Sequence, residues 1–167
     1  MTTNTLEHHW MPFTANRDFK ADPRILVAAK GMHYTTHHGE RVIDASSGLF
    51  CCAAGHGRKE IADAVAAQLM ELDYSPPFQY GSAPAFELAR RVAALTPGTL
   101  NRVFFTNSGS ESIDTALKIA MAWHTARGEG HRDKYISRER AYHGVNIGGT
   151  SLSGLMKNRE VFGAVMP

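Results

Sequence analysis

The sequence predicts an α/β fold with a parallel sheet, and three observations in its second half support this. The segment Asn101–Thr106, which contains the apolar run Val103-Phe104-Phe105, is typical of a strand, and a Gly/Ser-rich turn follows it. A long helical pattern then opens with Ile113, and Lys134–Ser137 is typical of the next strand. Strand, helix and strand within this length form a βαβ unit, whose crossover joins parallel neighbours.

Shorter elements are expected before this unit. Three short strands are predicted, separated by turns at Gly31 and Gly39: Ile25–Ala29, Met32–Thr36 and Arg41–Ile43. Ser46 to Gly57 is rich in small residues and has no clear period, as in a close-packed loop.

Helices are predicted from apolar residues that recur at helical spacing. Arg58–Leu72 carries one such stripe, formed by Ile61, Val65, Leu69 and Leu72. Ala85–Leu95 is a second helix, which Pro97-Gly98 stops. The helix after the Gly/Ser turn is expected to bury one face and to carry an Asp114–Lys118 ion pair; the face consists of Ile113, Leu117, Ala120 and Met121.

Composition indicates a soluble protein. The 167 residues carry a net charge of +2, with both signs interspersed, so nothing indicates a nucleic-acid or membrane footprint. No apolar run approaches the roughly 20 residues that span a bilayer. A disulfide between the adjacent Cys51 and Cys52 would be strained, so both are expected to be reduced, as in the cytoplasm.

The turn Ser108-Gly109-Ser110 is predicted to bind an anion. The first N–H groups of a helix have no intrahelical partner, and the helix dipole is positive there. The alternative is an ordinary serine N-cap, which on the turn alone is the commoner case. Nucleotide motifs fail: a P-loop needs lysine after Gly109, where Ser110 stands, and Glu60 replaces the third glycine of a dinucleotide fingerprint.

Tyr142 narrows the choice of ligand. The loop after the second predicted strand carries Tyr142-His143-Gly144, and ligands of open α/β sheets bind at the carboxyl ends of the strands. An aromatic ring beside a phosphate turn can stack on a flat ligand, although Tyr142 alone would be taken for a core or surface aromatic. Together the two features indicate a phosphorylated heteroaromatic cofactor, of which pyridoxal 5'-phosphate (PLP) is the obvious one.

The motifs together resemble one enzyme family. Residues Phe104–Glu111, followed by Arg138–Gly144, closely resemble the class III PLP-dependent aminotransferases, and most of all the ω-amino acid (β-alanine):pyruvate aminotransferases. Residues 9–14, 48–51 and 54–58 match the same subfamily in order and spacing. The resemblance implies the amino-terminal part of a fold-type-I transferase: residues 1–72 would be the amino-terminal segment, and 73–167 the start of the PLP-binding large domain.

The resemblance also implies site residues. Ser108, Gly109 and Ser110 would hold the cofactor phosphate, Tyr142 would stack on the pyridine ring, and two neighbours would shape that wall: His143 and Gly144.

Other residues of the resemblance concern the substrate. Phe13, Leu49 and Phe50 would line the substrate pocket, and Phe78 would reach the site of a neighbouring subunit in a homodimer or homotetramer. The family often has Trp where this chain has Phe50. Because the Phe ring is smaller, the resemblance does not decide which amine is the donor.

The implied reaction is transamination of an ω-amino acid or amine with pyruvate as the acceptor. None of the chain's lysines matches the family's Schiff-base position, which lies beyond Pro167. We therefore expect residues 1–167 alone to be inactive and poorly soluble. Two alternatives stay open: a non-catalytic fragment that binds PLP or phosphate, and a class III relative using a diamine. No metal is expected, because neighbours such as His37 and His38 point to opposite faces of a strand.

Overall fold

The computed structural model describes residues 6–162, apart from the side chain of Arg159. The ends of the two predicted domains, residues 1–5 and 163–167, lie outside the described residues. The chain divides into two compact units, Met1–Gly81 and Ser82–Pro167. The domain boundary predicted between residues 72 and 73 stays a prediction.

The first unit is built around a three-stranded antiparallel sheet in the order β1-β2-β3. Its strands are β1 (Leu26–Lys30), β2 (His33–Thr36) and β3 (Arg41–Ile43), close to their predicted bounds. Glycines with positive φ make the predicted turns, at Gly31 and Gly39. The three predicted strands are therefore confirmed.

Two helices flank this sheet in the chain. Helix α1 (Asn16–Ala21) was not predicted, since six residues are too few to show a period. Helix α2 (Lys59–Glu71) confirms the predicted amphipathic segment. Its apolar stripe is largely exposed rather than packed against another element.

The second unit contains four helices in the described residues: α3 (Ala83–Leu95), α4 (Gly109–Ala126), α5 (Ile147–Leu152) and α6 (Met156–Phe162). Helix α3 begins two residues before its predicted start, because Pro84 fits the first turn, where no N–H is required. Helix α4 begins at the Gly/Ser turn itself. Helices α5 and α6 are short and were not predicted.

The segments Asn101–Thr106 and Lys134–Ser137 are not strands within residues 6–162. A strand exists only where its N–H and C=O groups pair with a neighbour, and neither segment takes part in the one sheet found there. The crossover helix of the predicted βαβ unit is present as α4, and the ladder that would flank it is not.

Burial is concentrated where α4 meets α5, in small residues rather than in an apolar core. Gly144, Gly148, Gly149, Thr150 and Ser153 are buried, and no apolar side chain among the described residues is. The predicted buried face of α4 is only half covered, and its Met121 is exposed. Within residues 6–162, α5 contacts this face at Leu117 and leaves the rest of it partly exposed.

Candidate cofactor site

Ser108 is the N-cap of α4. Its Oγ accepts a hydrogen bond from the Glu111 N–H at 3.1 Å, and Glu111 Oε2 accepts one from the Asn107 N–H at 2.9 Å. This reciprocal pairing is close to a capping box, shifted by one residue at the carboxylate. The capping role left open by the sequence is thus present. It uses an acceptor lone pair of Ser108 Oγ and leaves the hydroxyl proton for another partner.

The turn leaves free donors at the start of α4. The first main-chain bond of the helix runs from the Ser112 N–H to the Ser108 carbonyl at 3.0 Å, so the N–H groups of Gly109 and Ser110 precede the regular ladder. A Cβ added at Gly109 would meet no atom within 4 Å. The space in front of this positive helix end is therefore open to an anion.

The loop containing Tyr142 lies against this turn. Ser110 Oγ accepts a hydrogen bond from the Val145 N–H at 3.0 Å. A Cβ added at Gly144, whose φ is +96°, would come within 2.6 Å of Ser110 Oγ and 2.7 Å of Ser110 Cα. The contact requires glycine at position 144 both for its backbone conformation and for its lack of a side chain.

Further contacts fix this loop at both ends. On the carboxyl side, Asp114 Oδ1 accepts a hydrogen bond from the Gly149 N–H at 3.0 Å, which joins α4 to α5. On the amino side, the Ala141 carbonyl accepts hydrogen bonds from the Gly154 N–H at 2.8 Å and from Ser153 Oγ at 3.3 Å. These bonds hold the Tyr142 region against the amino end of α4.

The bond to Gly149 corrects one sequence prediction. Asp114 was expected to pair with Lys118 along the exposed side of the helix. In the structure its carboxylate is turned toward α5, and the nine ion pairs among the described residues do not include Asp114–Lys118. The Asp114 carboxylate favours the fixed, part-buried N–H donor over the exposed lysine, because an ion pair in water contributes little free energy.

Two side chains of this loop bear on the prediction of a phosphorylated aromatic ligand. Tyr142 is 58% exposed, which leaves its ring available for stacking. His143 Nε2 is buried and has no hydrogen-bond partner within the described part of the chain. A buried nitrogen without a hydrogen-bond partner is the kind of group that a bound ligand or a further segment would satisfy.

A second group of predicted residues belongs to the first unit. Leu49 and Phe50 are 77% and 89% exposed, and Phe13 and Phe78 are similarly exposed. Leu49 and Phe50 are neighbours in the turn Ser47–Phe50, in which all four residues have positive φ: 51°, 58°, 54° and 72°. For residues other than glycine this conformation costs roughly 1–2 kcal/mol each.

Asp44 anchors that turn. Its Oδ1 accepts hydrogen bonds from the N–H and Oγ of Ser46, both at 3.2 Å, and its Oδ2 lies 2.8 Å from His56 Nε2. Hydrogen bonds from the Gly48 N–H, His56, the Ser46 N–H and Tyr34 hold the pKa of Asp44 far below its usual range. The side chain is only 4% exposed, so the structure keeps a buried, ionised carboxylate at the base of the turn.

The comparisons with known proteins identify the family. The family model described as aminotransferase class-III matches residues 14–167. The chain belongs to the class III aminotransferases. It is 55% identical over 161 residues to the β-alanine–pyruvate aminotransferase of Pseudomonas aeruginosa, and 54% identical over 161 residues to the ω-amino acid–pyruvate aminotransferase of Pseudomonas putida.

Solved aminotransferase structures confirm the fold. A thermostable (S)-enantioselective ω-transaminase from Thermomicrobium roseum superposes with a TM-score of 0.90 at 37% identity, over 95% of this chain. The chain spans 36% of that protein, and 36% of each of the two Pseudomonas enzymes, while covering 96% of its own length in both. It therefore has the fold of one part of a class III aminotransferase.

The structure brings some predicted site residues together. Ser110 and Gly144 are in contact, and Ser108, Gly109, Tyr142 and His143 adjoin them in the chain. The functional assignments of these residues, and of Phe13, Leu49, Phe50 and Phe78, stay predictions. Sequence patterns did not single out Asp44 or His56, because the hydrogen bond between them spans 12 residues and involves no local motif.

Two further properties concern the described residues alone. No helix there combines the length and apolar character that a bilayer crossing requires. No group of three or more His, Cys, Asp or Glu side chains there is arranged to hold a metal ion.

Proposed function

We propose that the protein carrying this chain is a PLP-dependent aminotransferase that transfers an amino group from an ω-amino acid or amine, of the β-alanine type, to pyruvate. Family membership supports the reaction class, and the Pseudomonas relatives supply the donor and acceptor class through their names. The observation that supports the proposal is the contact of Ser110 with Gly144 and Val145, which follow Tyr142 and His143 directly in the chain.

The cofactor's phosphate is proposed to bind at the start of α4. The N–H groups of Gly109 and Ser110 point along the positive end of the helix dipole, and the hydroxyls of Ser108 and Ser110 add donors. Each hydroxyl already accepts an N–H, from Glu111 and from Val145, so each proton is free to be donated to a phosphate oxygen.

The cofactor's ring is proposed to lie against Tyr142. The exposed phenol ring would stack on the pyridine, and His143 and Gly144 would form the wall beside it. When bound, PLP supplies an electron sink for negative charge that develops on the substrate carbon. The chain's own contribution is to hold the phosphate and to fix the plane of the ring.

The substrate is proposed to meet apolar side chains. Phe13, Leu49 and Phe50 would surround its carbon chain, and Phe78 would serve the site of a neighbouring subunit in a homodimer or homotetramer. The protein is proposed to act in the cytoplasm, where Cys51 and Cys52, both free thiols here, would stay reduced.

The test is an assay of the whole protein, loaded with PLP, for alanine formation from pyruvate with β-alanine as the donor. Ser110→Ala should weaken PLP binding by roughly tenfold, because it removes one charge-assisted hydrogen bond to phosphate. Binding of pyridoxal, which has no phosphate, should change much less. The matched control is Ser151→Ala, since that hydroxyl donates a hydrogen bond to the Ile147 carbonyl of its own helix, at 2.8 Å.

Two results would count against the proposal. PLP binding that phosphate displaces, without amino transfer from any ω-amino acid or amine, would favour the non-catalytic alternative. Equal PLP affinity in Ser110→Ala and Ser151→Ala would indicate that the phosphate does not bind at the start of α4.

A further inference from the structure

Asp44 makes long-range connections that its position after β3 does not require. The Asp44 carboxylate accepts hydrogen bonds from Ser46, just before the turn, and from His56, at the end of the loop. Gly48 in the turn and Tyr34 in β2 also help to lower its pKa. The Tyr34 hydroxyl lies 3.5 Å from the place that a Cβ on Gly48 would occupy. One buried side chain thus joins the sheet to both ends of the loop.

His56 is itself fixed by the main chain. Its N–H donates to the Gly31 carbonyl at 2.7 Å, and its carbonyl accepts from the Gly31 N–H at 2.9 Å. The rings of His56 and Tyr34 are in contact, with centroids 4.6 Å apart. Because Asp44 is ionised, the His56 Nε2–H is the donor in the bond between them.

The turn needs this anchor because its own sequence opposes its conformation. Three of its four residues, Ser47, Leu49 and Phe50, carry side chains at positive φ. Such residues return to ordinary backbone angles unless the surroundings over-determine them. Leu49 and Phe50 would swing with the backbone if it relaxed.

We propose that Asp44 is a positioning residue for the aminotransferase reaction: through Ser46 and His56 it holds the Ser47–Phe50 turn, which aims Leu49 and Phe50 and so selects the amine donor. The inference rests on the proposed function, in which those two side chains line the substrate pocket. Asp44 lies beneath the turn and acts through the backbone.

The test uses the whole protein with PLP bound and pyruvate as the acceptor. In Asp44→Asn an NH₂ group faces the N–H donors of the turn, so at least one hydrogen bond to the carboxylate is lost. KM for β-alanine should rise about tenfold while kcat changes by less than about threefold, since ground-state placement is affected and chemistry is not. The affinity for PLP should stay unchanged.

A matched pair isolates the bond from His56. The side-chain amide of His56→Gln can still donate to Asp44, whereas His56→Phe keeps the bulk and has no donor. His56→Gln should retain the KM and donor preference of the parent enzyme, and His56→Phe should follow Asp44→Asn. Amide hydrogen exchange at Gly48 and Phe50 should accelerate in Asp44→Asn and His56→Phe, which reports on the turn without any activity.

Unchanged exchange in the turn, or an activity loss that tracks only the fraction of folded, PLP-loaded enzyme, would overturn the inference. If Asp44 had only a structural role, the substitution would lower the amount of active enzyme and leave KM and the preference between amine donors unchanged. An unmutated protein that transfers no amino group would instead overturn the proposed function, and the exchange experiment would still report on the anchor.

Discussion

Single residues at the candidate site serve more than one purpose. Ser108 caps α4, and Ser110 accepts a hydrogen bond from the Val145 N–H. Both serines are also predicted to donate to the phosphate. Sequence reasoning found these serines because a strand-like run, a Gly/Ser turn and a helix are local signals. It could not find Asp44, since a carboxylate held by residues from several elements leaves no periodic trace.

Gly144→Ala tests the close contact between the two halves of the cofactor site. The new methyl group would meet Ser110 Oγ at 2.6 Å and the Ser110 backbone at 2.7 Å, so the loop must shift away from α4. Such overpacking costs about 1–3 kcal/mol, and we expect the Kd for PLP to rise at least about tenfold in an absorbance titration.

The control for this variant is Gly98→Ala. Gly98 also has positive φ, +62°, but an added Cβ would meet nothing within 4 Å, so it reproduces the backbone strain without the contact. PLP affinity should be unchanged in Gly98→Ala. Equal effects of the two variants would show that strain, and not the contact with Ser110, governs binding.

Phe50→Trp tests the proposed role of the exposed turn. The larger indole should narrow the space for donors, lowering kcat/KM for a bulky aromatic amine about tenfold relative to β-alanine. Phe86→Trp, at an exposed position on α3, makes the same chemical change outside the predicted pocket and should leave this ratio alone. If Phe50→Trp left the kcat/KM of the bulky amine relative to β-alanine unchanged, Phe50 would not line the substrate pocket.

Among the helices and strands, those marked by a local sequence pattern could be predicted. Helices α2, α3 and α4 and strands β1 to β3 carry clear periods or turn residues, and their bounds agree within a few positions. Helices of six or seven residues, such as α1, α5 and α6, are too short for a period. The two strands predicted around α4 depend on partners elsewhere in a sheet, which no local pattern supplies.

Helix α3 carries a charge cluster whose titration can be checked. Hydrogen bonds from Arg90 first, and then from Arg91, lower the pKa of Glu87 to about 2 from an ordinary 4.5. A lowered folded-state pKa contributes stability at pH values above 4.5, and the contribution is lost as pH falls toward 2. Arg90→Gln should raise this pKa most, measured by NMR titration of the Glu87 carboxyl carbon.

Arg91→Gln is the matched comparison on the same helix. Arg90 makes two hydrogen bonds to Glu87, both 2.8 Å, whereas Arg91 makes one of 2.8 Å. The rise in pKa should therefore be smaller in Arg91→Gln, and salt should reduce both effects because the cluster is exposed. An equal rise in the two variants would contradict the assigned order.

Both units expose large apolar side chains among the described residues. Phe104 and Ile136, in the two predicted strands, are 71% and 100% exposed. Apolar exposure on this scale marks surfaces that associate with other protein.

A polypeptide limited to residues 1–167 should therefore associate with itself and bind the dye ANS strongly, because many of its large apolar side chains are exposed. Size-exclusion chromatography with light scattering, and dye fluorescence, check this. A monomeric species with a sharp two-state unfolding transition and no dye binding would contradict it.

The left-handed turn at Ser47–Phe50 has a stereochemical consequence. Its four positive φ angles suit D-residues, and ribosomal synthesis offers only achiral glycine as a substitute. Glycine already stands at position 48. Introducing it at Leu49 or Phe50 would relieve strain and delete the side chains that the turn displays. A natural substitution can therefore stabilise this turn only by removing a side chain that it exposes. A D-amino acid placed by chemical ligation would relieve the strain and keep the side chain.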